Sequence, residues 1–216
     1  MATSVQIPET RVTPAPVAGA DIADPGPLGL AAFAATTFIL CMFNSGIMSG
    51  AYEHVVLPMA LVYGGAVQIL AGMWEYKKNN TFGATAFASY GAFWISFAVY
   101  IWWVAPGLVA AAKIAGDTKF NLSNATGVWL LAWTIFTVIM LCASFGVSKA
   151  LVTVFSLLTI TFILLTWGVW GGHPNLAKTS GYFGLATAAA AWYASAAGVT
   201  KSTFGRQILP VGSMAK

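Results

Sequence analysis

The chain has 216 residues, of which 58% are hydrophobic and only 7% are charged, and its formal net charge is +4. Average soluble domains carry about 25% charged residues, so this chain has too few charges to cover a globule in water. The composition therefore excludes an ordinary soluble domain and indicates an integral membrane protein.

The first 24 residues differ from the rest of the chain in being rich in Pro, Ala and Thr. They lack the basic start and the leucine-rich core of a signal peptide, and their composition predicts a disordered cytosolic tail over residues 1–24. We therefore divide the chain into this tail, a transmembrane domain over residues 25–205 and a cytosolic C-terminal tail over residues 206–216.

Six long segments without Asp, Glu, Lys, Arg or His follow the tail. A helix of about 20 apolar residues crosses the hydrocarbon core of a bilayer, and the alternation typical of barrel strands is missing. Because backbone groups in lipid must be hydrogen-bonded within the segment, the predicted fold is all-α with six transmembrane helices. We place these helices at roughly 28–50, 55–74, 82–105, 126–147, 150–170 and 181–200.

The first predicted span carries polar side chains on one helical face, since Phe33, Thr37, Leu40 and Asn44 recur at i, i+4, i+7 and i+11. An amide in hydrocarbon is costly unless it has partners, so we expect Asn44 to face the bundle interior or a wet cavity. Hydrogen bonding to another helix and donation to a passing solute both remain open for Asn44. Thr37, on the same face, is a further candidate for binding a solute.

The second predicted span repeats this arrangement, with Gly65, Gln68, Gly72 and Glu75 at i, i+3, i+7 and i+10. Gln68 is open to the same two interpretations as Asn44. Glu75 stands at the end of the span and begins a short charged segment, residues 75–80, which we interpret as a cytoplasmic turn.

The distribution of basic residues indicates the orientation of the bundle. If the N-terminus is cytoplasmic, the inside segments hold seven of the ten basic residues and the outside loops hold three, which favours two cytoplasmic termini by the positive-inside rule. The inside residues are Arg11, Lys77, Lys78, Lys149, Lys201, Arg206 and Lys216, and the outside residues are Lys113, Lys119 and Lys178.

The chain shows no pattern typical of an enzyme. It has no phosphate-binding loop, no paired metal-binding histidines and no nucleophile motif, so we expect no catalytic residue, no metal and no cofactor. Cys41 and Cys142 fall within spans, where they are expected to pack as small apolar residues. Proton pumps place a carboxylate or a histidine at the membrane midplane, and none occurs here. The sequence thus indicates a passive or secondary pathway for a small solute such as a weak acid.

Residues 63–94 (Y-G-G-A-V-Q-I-L-A-G-M-W-E-Y-K-K-N-N-T-F-G-A-T-A-F-A-S-Y-G-A-F-W) resemble the signature of the acetate uptake transporter family. Bacterial members of this family are called succinate–acetate permeases. The stretches P-L-G-L-x-x-F at 27–33 and F-G-R-x-I-L-P-V-G at 204–212 are similar to the family's N-terminal and C-terminal motifs. The likeness covers nearly the whole chain, apart from the N-terminal tail and the loop at 107–124.

This resemblance implies six transmembrane helices per subunit, a homo-hexameric ring and a solute pathway through each subunit. It implies transport of acetate, and sometimes succinate or other short carboxylates, by proton-linked uptake or by channel-like permeation. It further implies a constriction made by a Phe, a Tyr and a Leu, which are Phe33, Tyr90 and Leu158 here, with Leu157 as the alternative alignment. We expect a plasma or inner membrane location and no nucleic-acid partner.

One departure from the family pattern precedes the first span. The family usually reads N-P-A-P-L-G-L, whereas this chain reads D-P-G-P-L-G-L, so Asp24 replaces Asn. Asp and Asn both cap helices and Pro25 suits a first helical position, so we expect the first helix to start normally. Candidates for coupling transport to protons lie at the rims of the pathway: Glu75, Asp24, Asn80, Thr81, Glu53 and His54.

Two other functions are compatible with the sequence. The chain could pass ammonium or another small solute along Tyr90 and the neighbouring aromatic residues. It could also be a structural or sensing membrane protein without transport activity, although the presence of all three constriction residues argues against that. The sequence leaves open whether the protein is a channel or a proton symporter, whether succinate is carried, and how many acetates bind at once.

Overall fold

The computed structural model describes residues 22–214, so the predicted N-terminal tail lies outside the described residues except for residues 22–24. Within this range, the chain folds into six helices joined by short turns, and the predicted six-helix, all-α fold is confirmed. The helices are α1 Gly26–Asn44, α2 Gly50–Lys77, α3 Thr81–Ala115, α4 Leu122–Ser144, α5 Lys149–Trp170 and α6 Pro174–Phe204.

The helices differ in how apolar they are. Helices α1 to α5 are long and apolar enough to cross a membrane, with mean hydropathies between 1.7 and 2.2 over 18 residues. Helix α6 is less apolar, because Ala, Gly, Ser and Thr replace larger hydrophobic residues along much of its length. It packs along both α1 and α5, so its small side chains serve contact between helices rather than contact with lipid.

Three predicted spans, those of α1, α3 and α6, have an end that shifts by six residues or more. Helix α1 ends at Asn44 rather than at 50, because the chain turns at Gly46, whose φ is +73°. Helix α6 begins at Pro174 rather than near 181, because the proline occupies its first turn, where no N–H is needed.

Helix α3 continues to Ala115 rather than ending near 105. Its 35 residues span about 52 Å at 1.5 Å per residue, which exceeds the hydrocarbon thickness. Pro106 does not end this helix because a π-helical turn, Tyr100–Val104, precedes it. In that turn the Ala105 N–H bonds to the Tyr100 carbonyl, so the proline joins a new first turn instead of breaking an existing one.

Close contact between helices relies on glycines that face a neighbouring backbone. A Cβ at Gly72 of α2 would lie 2.7 Å from the Ala88 nitrogen of α3, and one at Gly181 of α6 would collide with the backbone of Ser45. Small residues at helix interfaces allow this approach in membranes. The bundle is thus held at spacings that larger side chains at these positions would not permit.

An aromatic cluster fills the space between α3, α4 and α5. Phe93 stacks on Trp129 at 5.2 Å between ring centroids and meets Trp133 and Phe162 edge-on at 5.1 and 5.6 Å. Nearer the end of α3, Tyr100 stacks on Trp129 at 5.6 Å, and its hydroxyl bonds to Thr126. These contacts link α3 rigidly to α4 and α5.

The chain beyond α6 returns to the N-terminus of α5. The Gly212 and Val211 carbonyls accept hydrogen bonds from the Lys149 and Ala150 N–H groups, at 2.9 and 3.0 Å. These two donors belong to the first turn of α5, which has no partners for them within the helix. The predicted C-terminal tail, 206–216, is therefore bound to the bundle over its described part.

We expect Gly212→Ala to destabilise the protein more than Gly205→Ala. The φ angle is +67° at Gly205 and +61° at Gly212. Each substitution therefore carries the penalty of a left-handed backbone conformation, about 1 kcal/mol. Only at residue 212 would the new Cβ meet a neighbour, the Lys149 side chain, at 2.9 Å. The measurement is the thermal unfolding midpoint of each purified variant in detergent, and equal midpoints would contradict the role given to the C-terminal segment.

Candidate functional site

A cavity of about 200 Å³ enters the bundle at the end where Asp24, Glu75 and Asn80 lie. We call these three residues the mouth. Asp24 and Asn80 are exposed, whereas the residues lining the other end of the cavity are buried, so the cavity leads from the surface into the core. Its walls come from α1, α2, α3, α5 and α6, and its volume is that of several water molecules at about 30 Å³ each.

Glu75 is the buried carboxylate of the mouth, with an exposure of 2%. Its Oε2 accepts a hydrogen bond of 2.8 Å from the Asn80 side-chain amide, whose Oδ1 in turn accepts from the Gly83 N–H at the start of α3. This cap fixes the orientation of the Asn80 amide, because its oxygen must face the helix and its nitrogen must face Glu75. Asn80 therefore both begins α3 and solvates Glu75.

Gly83 is required by this arrangement. A Cβ at residue 83 would lie 2.6 Å from the Asn80 Nδ2 and 2.8 Å from the Glu75 Cδ, so a larger residue would separate the two side chains. The charged segment of residues 75–80 and the T-F-G that follows it thus form one structural unit rather than a simple turn.

Asp24 lies across the mouth from Glu75. Its Oδ1 accepts a hydrogen bond from the Gly26 N–H and forms an ion pair with the Lys78 Nζ, each at 3.2 Å. The sequence suggested Pro25 as the first residue of α1. The helix instead begins at Gly26, and Pro25 is the residue before it. Asp24 nevertheless bonds to an N–H of the first turn and ties the start of α1 to the turn between α2 and α3.

Gln68 lines the buried part of the cavity. Its side chain is 1% exposed, and its Oε1 has no hydrogen-bond partner among the described residues. It directly follows a π-helical turn of α2, Val62–Val67, and such turns occur frequently at functional sites. The cavity is the space from which this unpaired oxygen can accept a hydrogen bond.

The buried end of the cavity is formed by Phe33 of α1, Tyr90 of α3 and Leu158 of α5, with exposures of 6%, 3% and 4%. We call these residues the deep layer. The Phe33 and Tyr90 rings meet edge-on at 5.6 Å between centroids. Leu157, the alternative alignment, is only partly buried and does not line the cavity, so the geometry favours Leu158.

The Tyr90 hydroxyl is directed into the protein. It lies 2.9 Å from the Thr137 Oγ1 of α4, and that hydroxyl donates to the Trp133 carbonyl at 2.8 Å. Because the single Thr137 proton is used there, Tyr90 must be the donor in the bond to Thr137. The sequence analysis missed Thr137, which could have been noticed as a hydroxyl on the same α4 face as Trp133.

Five of the predicted site and rim residues do not line the cavity. Thr37 lies one turn beyond Phe33 and is buried, with an Oγ1 that has no partner among the described residues. Asn44 is the last residue of α1, at the opposite end of the helix from the mouth. Thr81 is the first residue of α3 and is exposed. Glu53 and His54, in the 3₁₀ turn that begins α2, are also distant from the mouth along the helix.

We expect Asn80→Ala to destabilise the protein more than Asn121→Ala. Each asparagine caps a helix, α3 and α4 respectively, and loss of a cap costs about 1 kcal/mol. Only Asn80→Ala also leaves a buried carboxylate without its donor, which adds roughly 1–3 kcal/mol. Chemical unfolding in detergent measures the difference, and equal losses would show that Asn80 does not solvate Glu75.

Comparison with known proteins agrees with this architecture. The family model described as the GPR1/FUN34/yaaH family matches residues 8–216. The chain is 41% identical over 198 residues to acetate permease A of Emericella nidulans, an alignment that covers 88% of this chain and 65% of the relative. It therefore spans slightly less than two thirds of the length of that fungal relative.

Two further similarities are bacterial. The chain is 37% identical over 191 residues to the succinate-acetate/proton symporter SatP of Escherichia coli K12, covering 88% of this chain and 96% of the relative. A solved structure described as the bacterial acetate channel SatP matches with a TM-score of 0.76 and 37% identity, covering 88% of this chain and 99% of that one. Given the family match along almost its whole length, the chain belongs to the GPR1/FUN34/yaaH family.

Proposed function

We propose that this protein moves acetate and other short-chain carboxylates, including succinate, across a membrane along a pathway in each subunit. The observation that carries the proposal is the cavity, which runs from a polar mouth to a buried part lined by Gln68, whose side-chain oxygen is unpaired, and by the three residues of the deep layer. The names of the relatives support the same solutes, since one is an acetate permease and another a succinate-acetate/proton symporter.

In the proposed pathway, the parts of the cavity have different roles in entry, hydrogen bonding and selection of the solute. The mouth admits the solute from water, and the unpaired Gln68 oxygen accepts a hydrogen bond from the protonated carboxyl group of the solute as water is lost. The deep layer is the constriction, where Phe33 and Leu158 offer only apolar surface and the Tyr90 proton is held by Thr137. An ionised carboxylate is costly to place in such surroundings, so the neutral acid crosses this layer more readily.

Any proton that accompanies the solute must therefore travel with it or use a group at a rim. Helix α1 and the Thr81–Val99 part of α3 contain no Asp, Glu, Lys, Arg or His. Glu75 is the rim group best placed to exchange a proton with the solute, because it lines the cavity and is almost fully buried.

Ammonium is the second candidate solute, and one observation favours it. The mouth carries two carboxylates, Asp24 and Glu75, which would attract a cation. The deep layer, however, offers apolar surface from Phe33 and Leu158 and no carboxylate that could replace the hydration of an ammonium ion. Uptake of labelled methylammonium and of labelled acetate by the same vesicles distinguishes the two candidates.

We also propose that the subunits form a homo-hexameric ring with both termini in the cytoplasm, in the plasma or inner membrane. Large exposed hydrophobic residues on α3 to α5, such as Trp102, Ile135 and Trp167, offer surface for lipid and for neighbouring subunits. The excess of basic residues at the Glu75 end supports a cytoplasmic mouth.

The test of the proposed function is uptake of labelled acetate by proteoliposomes that contain the purified protein. We expect Gln68→Leu to lower uptake roughly twofold to tenfold, which corresponds to the 0.5–1.5 kcal/mol of one hydrogen bond. Asn44→Leu is the matched control, because it removes an amide that does not line the cavity. Wild-type vesicles without acetate uptake would refute the proposal, and equal effects of the two variants would remove Gln68 from the pathway.

The size limit of the pathway is predicted to depend on the Tyr90 ring. Tyr90→Ala should raise the ratio of succinate to acetate uptake by roughly tenfold, since size discrimination in an apolar site amounts to 1–3 kcal/mol. Tyr90→Phe keeps the ring and should alter the acetate rate more than this ratio. If Tyr90→Ala left the ratio unchanged, the narrowest point would lie elsewhere.

A further inference from the structure

The cavity has a charge pattern that its proposed solutes do not explain. Two carboxylates line it, those of Asp24 and Glu75, and among the described residues that form its walls none is Lys, Arg or His. A pathway proposed for anions is thus entered through a mouth whose own fixed charges are negative.

The two carboxylates are close together. The Asp24 Oδ1 and the Glu75 Oε1 each lie 3.3 Å from the point where a Cβ of Gly26 would sit, so these oxygens are separated by no more than twice that distance. A solute carboxylate at the mouth is therefore near both of them. At such distances unit charges interact appreciably even close to water.

Lys78 compensates this charge only in part. Its ammonium pairs with Asp24 at 3.2 Å but does not line the cavity. The pair is half-exposed on the Asp24 side, with exposures of 28% for Lys78 and 54% for Asp24, so water and salt weaken it. The Asp24 carboxylate is therefore only partly neutralised beside the entrance.

We propose that Asp24 is a residue that determines specificity, because it disfavours dicarboxylates relative to monocarboxylates at the mouth. The inference rests on the proposed function. The repulsion between a fixed charge and a solute grows in proportion to the charge of the solute. A dianion such as succinate is therefore held back about twice as strongly, in free energy, as a monoanion of the same length.

The substitution Asp24→Asn isolates this effect. An asparagine keeps the side-chain oxygen that accepts from the Gly26 N–H, so the start of α1 is preserved while the charge is removed. Asp117→Asn is the matched control, because Asp117 also accepts from the N–H two residues ahead, that of Lys119, and does not line the cavity. Lys78→Met is the opposite change, since it removes the cation that partly compensates Asp24.

The experiment measures how succinate and butyrate inhibit labelled acetate flux in proteoliposomes at neutral pH and low salt. The two acids have the same number of carbons and differ in charge, and inhibition requires entry into the mouth rather than passage through the deep layer. We expect Asp24→Asn to lower the half-inhibiting concentration of succinate about threefold to tenfold relative to that of butyrate, the range for one charge near a wetted surface. Lys78→Met should raise the half-inhibiting concentration of succinate relative to that of butyrate. Added salt should reduce the effects of both substitutions.

The outcomes are distinguishable. If Asp24→Asn changes inhibition by succinate and by butyrate equally, or leaves both unchanged while wild-type vesicles carry acetate, the inference is overturned and the proposed function stands. If Asp117→Asn shifts the ratio as much as Asp24→Asn does, the effect is not local to the mouth and the inference fails too. Wild-type vesicles that carry no acetate would overturn the proposed function and the inference together.

Discussion

The arrangement of the mouth follows from the solvation of one carboxylate. Glu75 is almost fully buried at the end of an apolar helix, and a buried charge or acid requires hydrogen-bond partners. Asn80 supplies the partner, and the same amide caps α3 through Gly83. The turn between α2 and α3 is thereby fixed, and Lys78 within it reaches Asp24 at the start of α1. Three helices are positioned around the cavity by this one chain of polar contacts.

The deep layer depends on a second polar contact, which binds the Tyr90 hydroxyl within the protein. Tyr90 donates to Thr137, and Thr137 donates to the backbone of its own helix, so both protons are used within the protein. The Tyr90 ring also lies 5.4 Å from Phe136 and 6.2 Å from Phe155 between centroids. A ring held on several sides presents a defined apolar surface to the cavity, which is what the proposed constriction requires.

Much of this structure could be predicted from the sequence, and the exceptions have physical causes. Six helices follow from apolar runs long enough to cross a bilayer, but the extension of α3 past Pro106 depends on a π-helical turn that has no compositional signature.

Helical periodicity correctly grouped Gln68 with Glu75 on one face, because both line the cavity. It placed Asn44 on the face of Phe33 but carried no information about depth, and Asn44 lies at the far end of α1. Thr137 escaped notice because its role depends on contact with another helix, which a pattern within one helix does not contain.

On the proposed function, the negative mouth and the apolar deep layer act in the same direction on a weak acid. Near Asp24 and Glu75, the ionised form of a solute is repelled while its neutral form is not, so the mouth shifts the bound acid toward protonation. The deep layer then admits this neutral form at the lowest cost, because it offers little to replace the hydration of a charge. A monocarboxylic acid becomes neutral by binding one proton, whereas a dicarboxylic acid must bind two. On the proposed function, the order of these two regions along the cavity therefore links proton uptake to solute passage without any ionisable group inside the deep layer itself.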